Sequence, residues 1–541
     1  MPVNKEDKIS VTIVGGGISG IAQAIHLKRR LGDKLELHIF EKKNEAGGVW
    51  RDSQWPGAGV DVPIHLYQLY SDLNPWWPDL YAKQPDADAS SDWQSLISKY
   101  DLRPHFRYAH EFESARWDDE ASLWVFQFRH RGEIVKHSSN VFVSAVGPFH
   151  KANLGVKNHE KFQGISFHSQ DWRNVDFINK RVAVVGNGST GVQVAANLAK
   201  IDGVQLTHFI RSGGYYNPKV NTKYPNWLKW TFAYVPFANV LHRFYIFTSW
   251  EKSSLANGNA WWQRYLRRGK EAKMLDYLKK TAPEKYHHAL IPKYAAGLKR
   301  VAWDEGWFAS LHRDNVKLRN VPIEEADETG LRLKDGEKHD FDIIIYATGY
   351  DVAGYGVGLN ENVYGADGTE LATTWQKDTP QAHLGVATPN YPNLFFLVGP
   401  NALSTSWGYT IGNQTLFISK IIEIIQKERL LTIEPKQDVF EAYNKELNGY
   451  LEESVYTTSG ERSWYRFKGT GKPTVPSGFT AVTLWWKTAW VDYTHWVGRD
   501  RNGKQVNLSS RLVARRLLQA LTLAGIYGAY ISYPQLKLLL N

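Results

Sequence analysis

The run "SVTIVGG" at residues 10–16 stays apolar until it stops on glycine, which predicts a buried strand ending in a turn. Directly after it, Ile21, Ala24, Ile25 and Leu27 recur at helical spacing along "IAQAIHLKRR". "KLELHIFEK" returns to a strand pattern and completes a βαβ unit. The same order of elements comes back in "RVAVVGNGSTGVQVAANLAK" followed by "VQLTHFIRS", so the chain carries two such units. "NVFVSAVGPFH", "FDIIIYATGYD" and "NLFFLVGPNA" predict three further buried strands, placed where the chain would cross between domains. The alternation breaks between Tyr224 and Lys280, where Trp, Phe and Tyr crowd into a stretch that predicts helices. Core packing against the neighbouring domain is the simplest use of that aromatic excess, with a membrane-facing surface as the alternative. The expected fold is α/β, with two Rossmann-type dinucleotide-binding domains and a helical insertion at about 220–290 in the second. The first domain would occupy 1–150 and resume over 336–541 with a C-terminal tail, and the second would occupy 151–335.

A chain of 541 residues exceeds one hydrophobic core, and its 43% hydrophobic content is ample for several. The absence of cysteine excludes disulfides, thiolate metal sites, a cysteine nucleophile and a redox dithiol, and no metal site is expected. The net charge of +10 is set among 55 acidic residues, with no zinc, homeodomain or RNA-reading motif, so no nucleic-acid partner is expected. The polar start "MPVNKEDKIS" leads straight into the first strand, which predicts a cytoplasmic protein. Beyond Arg516 the chain has no charge until Lys537, so membrane association through residues 512–536 stands beside a packed C-terminal helix.

In "GGGISG", Gly15 permits the turn after the strand, Gly17 lets backbone approach a pyrophosphate, and Gly20 lets the helix pack closely. Glu41 ends the next strand, where a carboxylate accepts both ribose hydroxyls, so the first site calls for an unphosphorylated adenosine ribose. The second loop has Gly186, Gly188 and Gly191 around Ser189 and Thr190, but its second strand ends at Arg211. A cation there suits a ribose 2′-phosphate and hence NADP, beside the plainer reading of Arg211 as a surface residue. Two dinucleotide domains without a cysteine pair point away from a disulfide reductase and toward a flavin that reacts with oxygen.

"FQGISFHSQDW" fits F-x-G-x-x-x-H-x-x-x-W, and its residues Phe162, Gly164, His168 and Trp172 resemble the fingerprint of type I Baeyer–Villiger monooxygenases, which are class B flavoprotein monooxygenases. "GGVWRDSQWPGAGVD", with Gly48, Trp50 and Asp61, resembles a second family motif, although Trp55 stands where Tyr or Phe is usual. "GLKRVAWD" supplies the Lys and Arg of a third, as Lys299 and Arg300. The resemblance runs from residue 10 to about 430. It implies FAD in the first site, NADPH in the second, Trp50 beside the flavin, and Asp61 near its reactive face.

The implied reaction is reduction of FAD by NADPH, addition of O2 at flavin C4a, and attack of the resulting peroxide on a ketone carbonyl to give an ester or lactone. Such chemistry calls for a fixed cation in a dry site, which makes Arg300 and its partner Asp61 the candidate catalytic pair. Lys299, facing the other way on an extended segment, would join Arg211 at the 2′-phosphate. His168 and Trp172 are expected to couple the domains. Two alternatives stay open: oxidation of amines or sulfides by the same cofactor, and a flavin-binding regulator or membrane-docked adaptor that oxygenates nothing.

Overall fold

The strand Ile9–Val14 sits at the centre of a five-stranded parallel sheet, flanked by Leu35–Phe40 and Val141–Ser144, with Phe106–Arg107 and Leu394–Phe396 at the edges. The computed structural model describes residues 8–506 except 70, 84–92, 353–360, 459–462 and 469, so the segment 512–536 lies outside the described residues. Side chains alternate between the two faces of the sheet, as the pleat requires. Val11, Ile13, Leu37, Ile39 and Val143 join one core with the helices Ile18–Leu31 and Trp407–Glu428. Val14, Phe40, Phe142 and Phe396 join another with Phe126 and Phe128 of an antiparallel sheet, Phe40 stacking on Phe128 at 3.8 Å. Both faces are therefore covered, which is why these strands read as continuous apolar runs.

The second parallel sheet runs in the order Val316–Arg319, Gln205–Phe209, Arg181–Val185, Ile343–Tyr346, Ile165–His168. Val182, Val184, Leu206 and Ile345 face one core, and Ala183, Val185, Phe209 and Ile344 the other. The sheet's entering and leaving strands lie side by side, with His168 in register with Tyr346. Residues 343–346 thus belong to the second sheet, and the chain returns to the first beyond them, later than position 336. A buried strand carries the same apolar signature whichever sheet it joins.

Three helices, Asn226–Tyr234, Ala238–Ser254 and Trp261–Thr281, form the insertion. Its inner side is core: Phe232 packs with Trp50, Val60 and Ile64, and Ile246 with Val62 and Leu66. Its outer side corrects the core-packing expectation, because Trp227 is 68% and Phe237 74% exposed. These helices are apolar on two faces, and only one of them is needed against the domain. Among the described residues no helix is long and apolar enough to cross a membrane.

Candidate active site

Each glycine-rich loop is built against a neighbouring backbone. A Cβ on Gly15 would lie 2.5 Å from the Ala145 carbonyl oxygen, and one on Gly20 would lie 2.0 Å from that of Gly15. Gly15 also has φ of +110°, which side chains disfavour. The amide of Gly16 donates to Glu41 Oε2 at 2.7 Å and that of Lys43 to Oε1 at 2.9 Å, fixing this buried carboxylate at the mouth of the loop. Gly17 and Gly48 meet with bare backbones, the Cβ position of Gly17 being 3.5 Å from Gly48 Cα. Side chains there would fill the slot that a diphosphate needs at the start of a helix.

The second loop repeats the arrangement. A Cβ on Gly186 would stand 2.4 Å from the Ala347 carbonyl oxygen, and one on Gly191 only 1.9 Å from that of Gly186. Below it, buried His208 accepts from the Trp307 indole at Nδ1 (2.9 Å) and donates from Nε2 to the Gly186 carbonyl at 2.8 Å. Burial lowers its pKa to about 4, so a neutral ring of one tautomer props the loop. Gly188 has no atom within 4 Å of its Cβ position, so the loop is open on the side a ligand would approach. Arg211 is exposed at the end of its strand, and Lys299 reaches the next residue, Ser212, at 3.3 Å while lying 4.4 Å from the Tyr294 ring centroid. The two cations predicted for a 2′-phosphate are thus brought to one end of the loop.

The segment from Gly47 to Asp61 lies against the second unit's helix, Ser189–Leu198. Trp55 donates its indole N–H to Gln193 at 3.0 Å, and Gln193 donates to the Gly59 carbonyl at 3.2 Å. Ser189, at the first turn of that helix, donates its hydroxyl to Asp61 Oδ2 at 2.5 Å. Arg300 approaches the same oxygen at 3.9 Å; the Asp61 side chain is 8% exposed and that of Arg300 36%. The spacing is wider than a charge-assisted hydrogen bond of about 2.7–2.9 Å, so the guanidinium is oriented without being consumed. Asp61 Oδ1 is buried with no protein partner among the described residues.

Two tyrosines absent from the sequence reading complete this centre. Tyr465 hydrogen-bonds Arg300; burial pushes its hydroxyl pKa up, and the guanidinium opposes that rise. Tyr67 accepts from the Trp50 indole at 3.1 Å, and burial raises its pKa to about 12. Trp50, Asp61 and Tyr67 come from one stretch of the chain, Arg300 and Tyr465 from two distant ones, and no local pattern marks either tyrosine.

The fingerprint residues lie elsewhere, on and beside the edge strand Ile165–His168 of the second sheet. A Cβ on Gly164 would meet the Phe162 ring at 2.5 Å and the Asp342 carbonyl oxygen at 3.0 Å. His168 Nδ1 accepts the Gln170 amide at 3.1 Å, and burial lowers its pKa. Trp172 packs edge-on against Phe167, with ring centroids 5.2 Å apart. The intervening turn Ser169–Asp171 touches the short helix Val49–Asp52 of the first unit.

A family model described as an NAD(P)-binding Rossmann-like domain matches residues 13–83, and one described as flavin-binding monooxygenase-like matches residues 135–363. A Baeyer-Villiger monooxygenase of Pseudomonas aeruginosa is 29% identical over 483 residues, spanning 87% of this chain and 88% of that protein. An uncharacterized monooxygenase of Mycobacterium bovis is 30% identical over 460 residues, spanning 84% and 90%. The crystal structure of cyclohexanone monooxygenase from Rhodococcus sp. Phi1 bound to NADP+ superposes with a TM-score of 0.78 at 22% identity, over 91% of this chain and 99% of that one. The kinship covers most of the chain: the protein belongs to the flavin-binding monooxygenases.

Proposed function

We propose that the enzyme inserts one atom of O2 beside a ketone carbonyl, giving an ester or lactone, with NADPH as the reductant. The observation that carries this reading is the Arg300 guanidinium, partly open and held between the buried Asp61 carboxylate and the Tyr465 hydroxyl where the two nucleotide units meet. Gly15, Gly17, Gly20 and Glu41 would hold the diphosphate and ribose of FAD, with Gly48, Trp50 and Asp61 bordering its reactive end. Gly186, Gly188, Thr190 and Gly191 would cradle NADP, with Arg211 and Lys299 on its 2′-phosphate. Bound FAD supplies the activation of oxygen once it has been reduced.

Arg300 keeps its charge throughout the neutral range. It would stabilise the negative oxygen that develops as the substrate's carbonyl carbon becomes tetrahedral. Asp61 sets the orientation of that cation, and Ser189 fixes Asp61. His168 and Trp172 would hold the joint between the domains and take no part in proton transfer.

The test is a panel of cyclic, linear and aromatic ketones and a sulfide, with NADPH and O2, and products identified by mass. Esters or lactones heavier than the ketone by one oxygen atom are expected. Sulfoxide without any ester would favour heteroatom oxidation, and NADPH consumption with no oxygenated product would favour the non-oxygenating reading. A separate measurement addresses the second site: Arg211→Ala with Lys299→Ala should raise the KM for NADPH about tenfold or more, as loss of charge-assisted hydrogen bonds does, and leave NADH kinetics unchanged. An unchanged NADPH to NADH preference would remove both residues from the phosphate.

A further inference from the structure

The outer face of the insertion is apolar and aromatic in a regular pattern. On Asn226–Tyr234 the exposed large apolar residues are Trp227, Trp230 and Tyr234, and on Ala238–Ser254 they are Val240, Leu241, Phe244 and Tyr245, with exposed Phe237 just before that helix. Both sets follow helical spacing, so each forms one stripe, and the two helices pack on each other. Trp230 and Trp76 both contact the Tyr234 ring, with centroids at 5.4 and 6.1 Å, which carries the patch onto the first unit. At its other end, Ala481–Ala489 meets Glu251 through the Val482 amide at 3.3 Å and presents exposed Trp485 and Trp486. An outward apolar surface of this extent is uncommon on a freely dissolved protein.

Charge follows the same element. Residues 226–281 contain ten Lys and Arg against Glu251, Glu271 and Asp276, and so carry most of the chain's net +10. On Trp261–Thr281, exposed Trp261 and Tyr265 alternate with exposed Arg264 and Arg268. Net positive charge is therefore concentrated here, because few carboxylates accompany the basic residues.

We infer that this face docks the protein on the surface of a membrane containing anionic lipid. Trp and Tyr rings suit the headgroup layer, and Lys and Arg beside them suit its negative potential. A second copy applied to the same face would oppose two positive elements. The uncharged segment 517–536 could cover the apolar stripes and would leave the cations unmatched. An anionic bilayer satisfies both. Helices lying in the interface need no membrane-spanning length.

The experiment mixes full-length flavoenzyme with vesicles of phosphatidylcholine alone or with added phosphatidylglycerol, and reads the pelleted fraction by flavin absorbance. Binding to the anionic vesicles is expected, weakening as salt is raised. The combined variant Trp227→Ser, Phe237→Ser, Phe244→Ser should lower the partition coefficient about tenfold or more. The surface variant Arg264→Glu, Arg268→Glu should do so by a similar factor. Retained FAD and normal NADPH oxidation report that each variant is folded, and the charge variant serves if the aromatic one is not. Wild-type protein that stays in the supernatant would overturn the inference. So would folded variants that pellet like wild type, which would place binding in another segment, or loss of a dimer in the variant without vesicles, which would assign the face to a second copy.

Discussion

Arg300→Ala is expected to retain FAD and continue to oxidise NADPH while ester formation falls about a hundredfold or more, with oxygen leaving as hydrogen peroxide. The substitution removes a cation that lies 3.9 Å from Asp61 and leaves the Ser189 hydrogen bond to that carboxylate in place, so the joint between the two units should survive. Arg300→Lys keeps the charge and loses the planar set of donors, and should fall between wild type and alanine. His168→Ala provides the contrast: its ring holds the Gln170 amide in the turn that touches the first unit, so its loss should slow NADPH oxidation and ester formation together. Product yield and peroxide release measured side by side decide the matter. An Arg300→Ala enzyme with unchanged ester yield would take the residue out of catalysis.

Two glycines only three positions apart should answer alanine in opposite ways. In Gly191→Ala the new methyl would sit 1.9 Å from the Gly186 carbonyl oxygen, the atom that also accepts the His208 proton at 2.8 Å. The backbone must move and a buried hydrogen bond must yield, a loss of about 2–4 kcal/mol together with NADP binding. In Gly188→Ala the methyl meets nothing within 4 Å and φ is −72°, so stability should stay within about 0.5 kcal/mol of wild type. That same open side is where the cofactor must approach, so its KM for NADPH should rise. Thermal unfolding and NADPH titration of the pair check this, and equal effects on stability would refute the assigned geometry.

The two glycine loops were legible because everything that defines them is local: an apolar strand, three glycines, a helix, and the charge ending the next strand. Arg300 and Asp61 were legible only through family resemblance, since nothing between residues 61 and 300 announces their contact. Tyr67 and Tyr465 were not legible: nothing around Tyr67 sets it apart although it closely follows Asp61, and Tyr465 reaches the centre only by packing between distant segments. The sequence predicts the insertion's helices, but its outer aromatic face does not show there as exposed. A helix with apolar residues on two faces looks the same in one dimension whether one face or both are covered.

The Ser189 hydroxyl on Asp61 and the Gln193 amide between Trp55 and Gly59 fasten the start of one nucleotide helix to the motif that borders the other site. Occupancy of either loop that stiffens this seam must then lower the free energy of occupying the other. Thermodynamic reciprocity makes the effect equal in both directions: whatever factor FAD adds to the affinity for NADP, NADP returns to the retention of FAD.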